Sequence, residues 1–178
     1  MNRRSTGAAS LLAVPLLTVS LLLVMAGGLP AAIASTLPMA DQVVIHKAER
    51  KLVLMRDNEV LRTFRIALGL SPKGAKEREG DFRTPEGNYR VSGRRANSDY
   101  FLALKVSYPG PEDLKRAAAA GVSPGGQIMI HGQPNQPSRP LDYYETHDWT
   151  NGCIAVSNAD MVDIWLMTPD NTPIQILP

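Results

Sequence analysis

Cys153 is the only cysteine in the chain, and it sits in the segment Trp149-Thr150-Asn151-Gly152-Cys153-Ile154-Ala155-Val156. A single cysteine forms no disulfide within its own chain. Its thiol is either an inert buried group or one kept for reactivity. The surroundings favour reactivity. The thiolate is the nucleophilic form, and near neutral pH it needs a base or a cation beside it. A histidine fit for that role stands in Ile128-Met129-Ile130-His131-Gly132. His131 ends one apolar run, and Cys153 follows a glycine and precedes another. Both groups therefore lie where rigid strands meet loops, a good place for reactive side chains. Gly152 lets the backbone turn sharply before the thiol. Such a turn can expose N–H groups to an oxygen that becomes negative during acyl transfer.

The other candidates have plainer readings. His46 alternates within a strand and reads as structural. His147 lies beside Asp148 in the long loop between His131 and Cys153, which also carries Pro134, Pro137, Pro140, Tyr143 and Tyr144. It is the rival for the base, or an exposed loop residue. His131 has the better anchor, because Ile128 to Ile130 hold it on a strand. Trp149 and Trp165 read as packing residues. His131, His147 and Cys153 lack a clear fourth ligand and match no standard zinc spacing, so no metal is assigned.

The elements that must position these groups are mostly short strands. Apolar runs at 43–45 and 52–54 flank a charged turn and predict a hairpin. Further strands are expected over 60–68, 88–92, 101–107, 127–130 and 173–177. Residues 73–85 are polar, with two glycines, and read as a surface loop. A short helix over 112–120 is stopped by Gly121. A second helix is expected over 158–167, with Asn158 as N-cap and Met161, Ile164 and Trp165 as its apolar stripe. The expectation is a mainly β domain with two short helices.

Charge and composition narrow the setting. The formal charge is +2, but Arg3 and Arg4 lie in an apolar leader that has no acidic residue. The remainder is neutral, and no basic stripe argues for nucleic acid. Residues 1–34 read as an export signal: a short positive start, an apolar stretch, then Ala32-Ile33-Ala34 as a cleavage-like site. The competing reading is an uncleaved membrane anchor. Residues 35–42 form a short linker, and the domain proper covers 43–178. Either route places the domain outside the cytoplasm, in the periplasm or cell envelope.

In order, Ile-His-Gly followed by Thr-x-Gly-Cys-Ile resembles the L,D-transpeptidase catalytic domain, also called YkuD-like. Thr84-Pro85-Glu86-Gly87 resembles the family's TPxG segment, and Gly69 follows a strand as the family's glycine does. The resemblance covers about 43–178. It implies a β-sandwich that acts on peptidoglycan stem peptides without a cofactor. It implies attack by Cys153 on the bond between diaminopimelate and a terminal D-alanine, with His131 as base and a thioester intermediate. Gly152 and Asn151 are then expected to offer backbone N–H groups to the oxyanion, as is Cys153. Gly132 and Thr150 are expected to border the substrate. Two positions depart from the family pattern. Asn151 replaces a common histidine or lysine, and Ala155 replaces a common arginine. The second removes a cation that could hold a carboxylate. Transfer, hydrolysis of stem peptides and a non-catalytic wall-binding module remain open at this point.

Overall fold

Apolar alternation builds the first half of the sheet. The computed structural model describes residues 37–178; the expected leader and the start of the linker lie outside them. β1 (Gln42–His46) and β2 (Lys51–Arg56) form the expected hairpin, with Val43 opposite Leu54 and Ile45 opposite Leu52. All four side chains are fully buried. β2 returns as β3 (Glu59–Arg65) through Asp57-Asn58, both at positive φ. Two left-handed residues in a two-residue loop match the right-handed twist of the strands they join.

The expected strand over 60–68 ends early, at Arg65. Beyond it, Ala67 exchanges two backbone hydrogen bonds of 2.8 Å with Ala155. Ile66 and Leu68 stay buried, so the chain keeps its apolar alternation while it changes partners.

The remaining strands are β4 (Gly87–Ser98), β5 (Phe101–Val106), β6 (Met129–His131), β7 (Ile154–Ala155) and β8 (Pro173–Leu177). The order across the sheet is β3-β2-β1-β8-β4-β5-β6-β7. β4 is far longer than the expected 88–92. Gly87 to Arg90 pair with β8, and Val91 to Ser98 pair with β5. Its second half reads Ser-Gly-Arg-Arg-Ala-Asn, so no apolar pattern announces it; hydrogen bonds to β5 make it a strand. β4 belongs to both halves, and the mainly β expectation takes the form of one eight-stranded mixed sheet.

Three helices complete the domain: α1 (Pro111–Ala119), α2 (Leu141–Thr146) and α3 (Asn158–Met167). α1 and α3 are the expected pair. α2 lies in the stretch read as loop, and its buried Tyr144 accepts hydrogen bonds from the N–H groups of Ser138 and Arg139. α3 buries Met161, Ile164 and Met167. Its cap is Ser157, not Asn158: the Ser157 hydroxyl accepts from Asp160 N at 3.1 Å. Asn158 is thereby free for another task, described below. Among the described residues no helix is long and apolar enough to cross a membrane.

One charged residue of the β1–β2 turn is not at the surface. Lys47 is 2% exposed. Its ammonium donates to Gly74 O at 2.6 Å, Thr84 O at 2.9 Å and Glu86 Oε1 at 2.7 Å. Three acceptors satisfy its three donors, which is what makes a buried ammonium tolerable. The contact pins the 74–86 loop to the first hairpin. Removing the ammonium strands a partly buried carboxylate and two carbonyls. Lys47→Ala is therefore expected to lower the unfolding free energy by about 3 kcal/mol, read as a shifted urea midpoint with an unchanged slope.

Candidate active site

β6 and β7 run parallel, with Ile130 opposite Ile154 and His131 opposite Ala155. Carrying that register back one residue sets Cys153 beside Met129. Side chains alternate along a strand, so Cys153, Met129 and His131 project from one face. Strand spacing and rise put the Cys153 and His131 Cα atoms roughly 8 Å apart, within range for a thiol and an imidazole to approach. Both line one cavity of about 570 Å³.

His131 is buried, and its Nδ1 lies 2.7 Å from Gly132 O. A carbonyl only accepts, so Nδ1 carries the proton and Nε2 keeps its lone pair. The rings of Tyr100 and Trp149 flank the imidazole, with centroids 4.6 and 5.6 Å away. Burial drives its pKa down to about 4, against the opposing pull of the Gly132 carbonyl. Burial also pushes the Cys153 thiol up; the Met129 backbone and the Lys76 ammonium pull the other way without prevailing. The thiol sulfur lies 3.5 Å from Gln127 O. At neutral pH the pair therefore rests as thiol and neutral imidazole. Burial thus works against a resting thiolate, where the residue pattern suggested a histidine-assisted one. The burial that shields the ring also removes the positive charge a thiolate would need.

The turn before the thiol is built tightly. The Thr150 hydroxyl donates to Cys153 O at 2.7 Å and accepts from Gly152 N at 3.1 Å. Gly152 has φ +126°, and a Cβ there would stand 2.7 Å from Arg83 O. A Cβ on Gly69 would overlap Phe82 O. Trp149 N and Thr150 N both donate to Leu68 O, and Leu70 N donates to Thr150 O. The Thr-Pro-x-Gly region is thus the backing of the Cys153 turn. Asp148 ties the other end, accepting from Leu68 N at 2.8 Å and from the Arg50 guanidinium at 2.7 Å.

These contacts revise several roles. The N–H of Gly152 is committed to Thr150, which leaves the N–H groups of Asn151 and Cys153 as the ones the turn can offer to a ligand. Asn151 is exposed and lines the cavity. Gly132 is buried and outside the cavity lining. It leaves room for Asn158 Oδ1, which would lie 2.5 Å from a Cβ there and accepts from Gln133 N. Thr150 lines the cavity with its hydroxyl already used in the turn. His147 is exposed, stacks on Tyr143 and faces a different cavity with Arg50 and Arg65. It joins neither His131 nor Cys153, so the trio weighed for zinc is not assembled. His46 sits in β1, 4.0 Å from Glu49. Trp149 packs as expected, but it also walls the cavity. The sequence reading missed Tyr100 and the polar end of β4, for which no motif or periodicity gave a signal.

A thiol and an imidazole thus stand on adjacent strands, over a glycine turn, at one cavity. Residues 40–176 match the YkuD model, the L,D-transpeptidase catalytic domain, and the chain belongs to that family. It is 32% identical over 96 residues to YafK of Escherichia coli strain K12, provisionally named an L,D-transpeptidase; the match covers 51% of this chain and 37% of that protein. Pgp2 of Campylobacter jejuni, described as a helical cell shape determining protein, aligns with TM-score 0.56 and 25% identity over 76% of this chain and 46% of its own. An L,D-transpeptidase from Mycobacterium smegmatis shares the fold, with TM-score 0.52 at 14% identity, over 77% of this chain and 58% of that one. The chain thus spans less than half the length of YafK and Pgp2.

A base works only while neutral. Turnover is therefore expected to rise with pH through the His131 pKa, half-maximal near about 4, where an ordinary histidine would place the limb near about 6.5. His131→Asn is expected to cut turnover about 10²- to 10⁴-fold while leaving the pH midpoint of Cys153 alkylation in place. The unfolded chain takes up the proton that the folded chain refuses between about 6.5 and about 4. Thermal stability should fall as pH drops through that window, and less so in His131→Asn.

Proposed function

We propose that the protein catalyses cysteine-dependent acyl transfer on peptidoglycan stem peptides, through a thioester on Cys153. The observation that carries this reading is the single cavity face shared by Cys153 and a neutral His131 whose Nε2 is unprotonated. In this reaction Sγ attacks the carbonyl of the diaminopimelate–D-alanine bond as Nε2 takes the thiol proton. The carbonyl oxygen becomes an oxyanion, held by the N–H groups of Cys153 and Asn151. Its collapse breaks the C–N bond, and the imidazolium returns the proton to the leaving amine. D-alanine departs and the thioester remains. An amine of a second stem then attacks, giving up its proton to His131, and the thiol is restored as the cross-link forms. Water in place of the amine gives hydrolysis.

Proton transfer concerted with attack suits a pair that rests uncharged. Tyr100 and Trp149 shield the imidazole, which keeps it a base across the neutral range. Ala155 is buried, pairs with Ala67 and lies outside the cavity lining. Ala155 stands opposite His131 in the β6–β7 register without entering the cavity. Retention of both Cys153 and His131 on that cavity favours an enzyme over a binding module. The leader at 1–34 supports action in the periplasm or cell envelope.

Purified protein incubated with tetrapeptide stems is expected to release D-alanine, and mass spectrometry of the peptides separates cross-linked dimers from trimmed tripeptides. Cys153→Ser should fold normally and lose at least about 10³-fold in turnover, because a hydroxyl is far less ionisable than a thiol. Near-normal turnover by that variant would exclude the thioester route.

A further inference from the structure

The cavity carries two charges that the reaction does not use. Cys153 and His131 rest neutral. The charged side chains lining the cavity are Arg95 and Asp99, both from the β4–β5 hairpin. Three charged groups on neighbouring elements are engaged instead. Arg94 is tied to Asp170 and to the carbonyls of Trp165 and Thr168 at the end of α3. Arg50 is paired with Asp148, and Lys76 with Asp81. Arg95 and Asp99 make no ion pair or side-chain hydrogen bond among the described residues.

The backbone that presents them is held in place. Asn135 Oδ1 accepts from Phe101 N at 3.0 Å, its Nδ2 donates to Ser98 O at 2.8 Å, and its own N–H donates to Asp99 O at 2.9 Å. Next to Asp99, Tyr100 packs on the His131 ring. The hairpin thus couples the two charges to the reacting pair through rigid contacts. Four residues of extended chain separate their Cα atoms by at most roughly 13 Å. That spacing suits two separate charged groups of one bound peptide. Opposite unpaired charges on one wall favour a ligand carrying both a carboxylate and an ammonium.

We propose that Arg95 and Asp99 are specificity residues that read a carboxylate and a free ammonium on the stem peptide lying beside Cys153. The proposal rests on the acyl-transfer reading for its substrate class. A stem whose ammonium is already acylated loses the Asp99 contact, so the site favours stems that are not yet cross-linked through that amine.

Binding to the full chain carrying Cys153→Ala tests this without turnover. Titration calorimetry would compare a diaminopimelate-containing tetrapeptide stem, the same peptide with its carboxylates amidated, and the same peptide with its amine acetylated. The parent peptide is expected to bind about tenfold tighter than either analogue. Adding Arg95→Gln should abolish the preference over the amidated peptide and keep the other. Adding Asp99→Asn should do the reverse, and Arg95→Lys should retain most of the carboxylate preference. Equal affinity for all three peptides, or a uniform loss in both variants, overturns the proposal. No binding of any peptide overturns it together with the substrate class. If the peptides are discriminated as expected while the unmodified protein leaves the stem intact, recognition stands and the acyl-transfer reading falls.

Discussion

Three backbone segments meet behind Cys153 at distances that leave no room for a side chain. Gly152 lies against Arg83 O, Gly69 lies against Phe82 O, and the two glycines lie against each other. Leu68 and Leu70 bond to Trp149 and Thr150 across the same junction. An alanine at Gly152 would need both a forbidden φ and a displaced carbonyl. The chemistry of the thiol depends on this junction, because it fixes where Cys153 leaves the turn and which N–H groups remain free. Lys47 supports it from below. Its buried ammonium gathers Gly74, Thr84 and Glu86 onto the first hairpin, so the loop that backs the active site cannot drift from the sheet.

The electrostatics of the site follow from the same close packing. His131 is enclosed by aromatic rings and hydrogen-bonded to its own neighbour's carbonyl, which favours the neutral ring with its lone pair on Nε2. Desolvation acts on both partners and drives both toward their uncharged forms. A half-buried thiol beside a buried imidazole suits the proposed base-assisted attack better than a preformed ion pair. The charge that the cavity does present comes from its outer wall, the β4–β5 hairpin, where Arg95 and Asp99 remain solvated and unpaired.

Much of this was legible in the residues. Apolar alternation located β1, β2, β5 and β8, and Met161 and Ile164 marked the buried face of α3. His131 and Cys153 stood out because each ends or begins an apolar run beside a glycine. Other features escaped for physical reasons. The second half of β4 is polar on a solvated face, so its strand character comes from hydrogen bonds to β5. α2 is too short to show a helical period, and Tyr144 anchors it by accepting backbone bonds. Asn158 looked like a cap, but Ser157 takes that place and leaves the amide to brace Gln133. Lys47 sits in a charged turn that carries no sign of burial; only the folded loop shows that three acceptors surround it.

By itself the sequence determined the family and singled out the two side chains on which the proposed chemistry rests, because a lone thiol, a strand-end histidine and their glycines form a pattern that local spacing carries. It also determined that the domain is mainly β, because two-residue periodicity is a local property. Tertiary structure decided what no local pattern holds. It placed His131 and Cys153 on one face through the register of two parallel strands whose sequence positions lie far apart. It set both groups neutral, because burial depends on which segments pack over them. It sent His147 to another surface, and it gave the cavity its charges from a hairpin distant in sequence from either reacting residue.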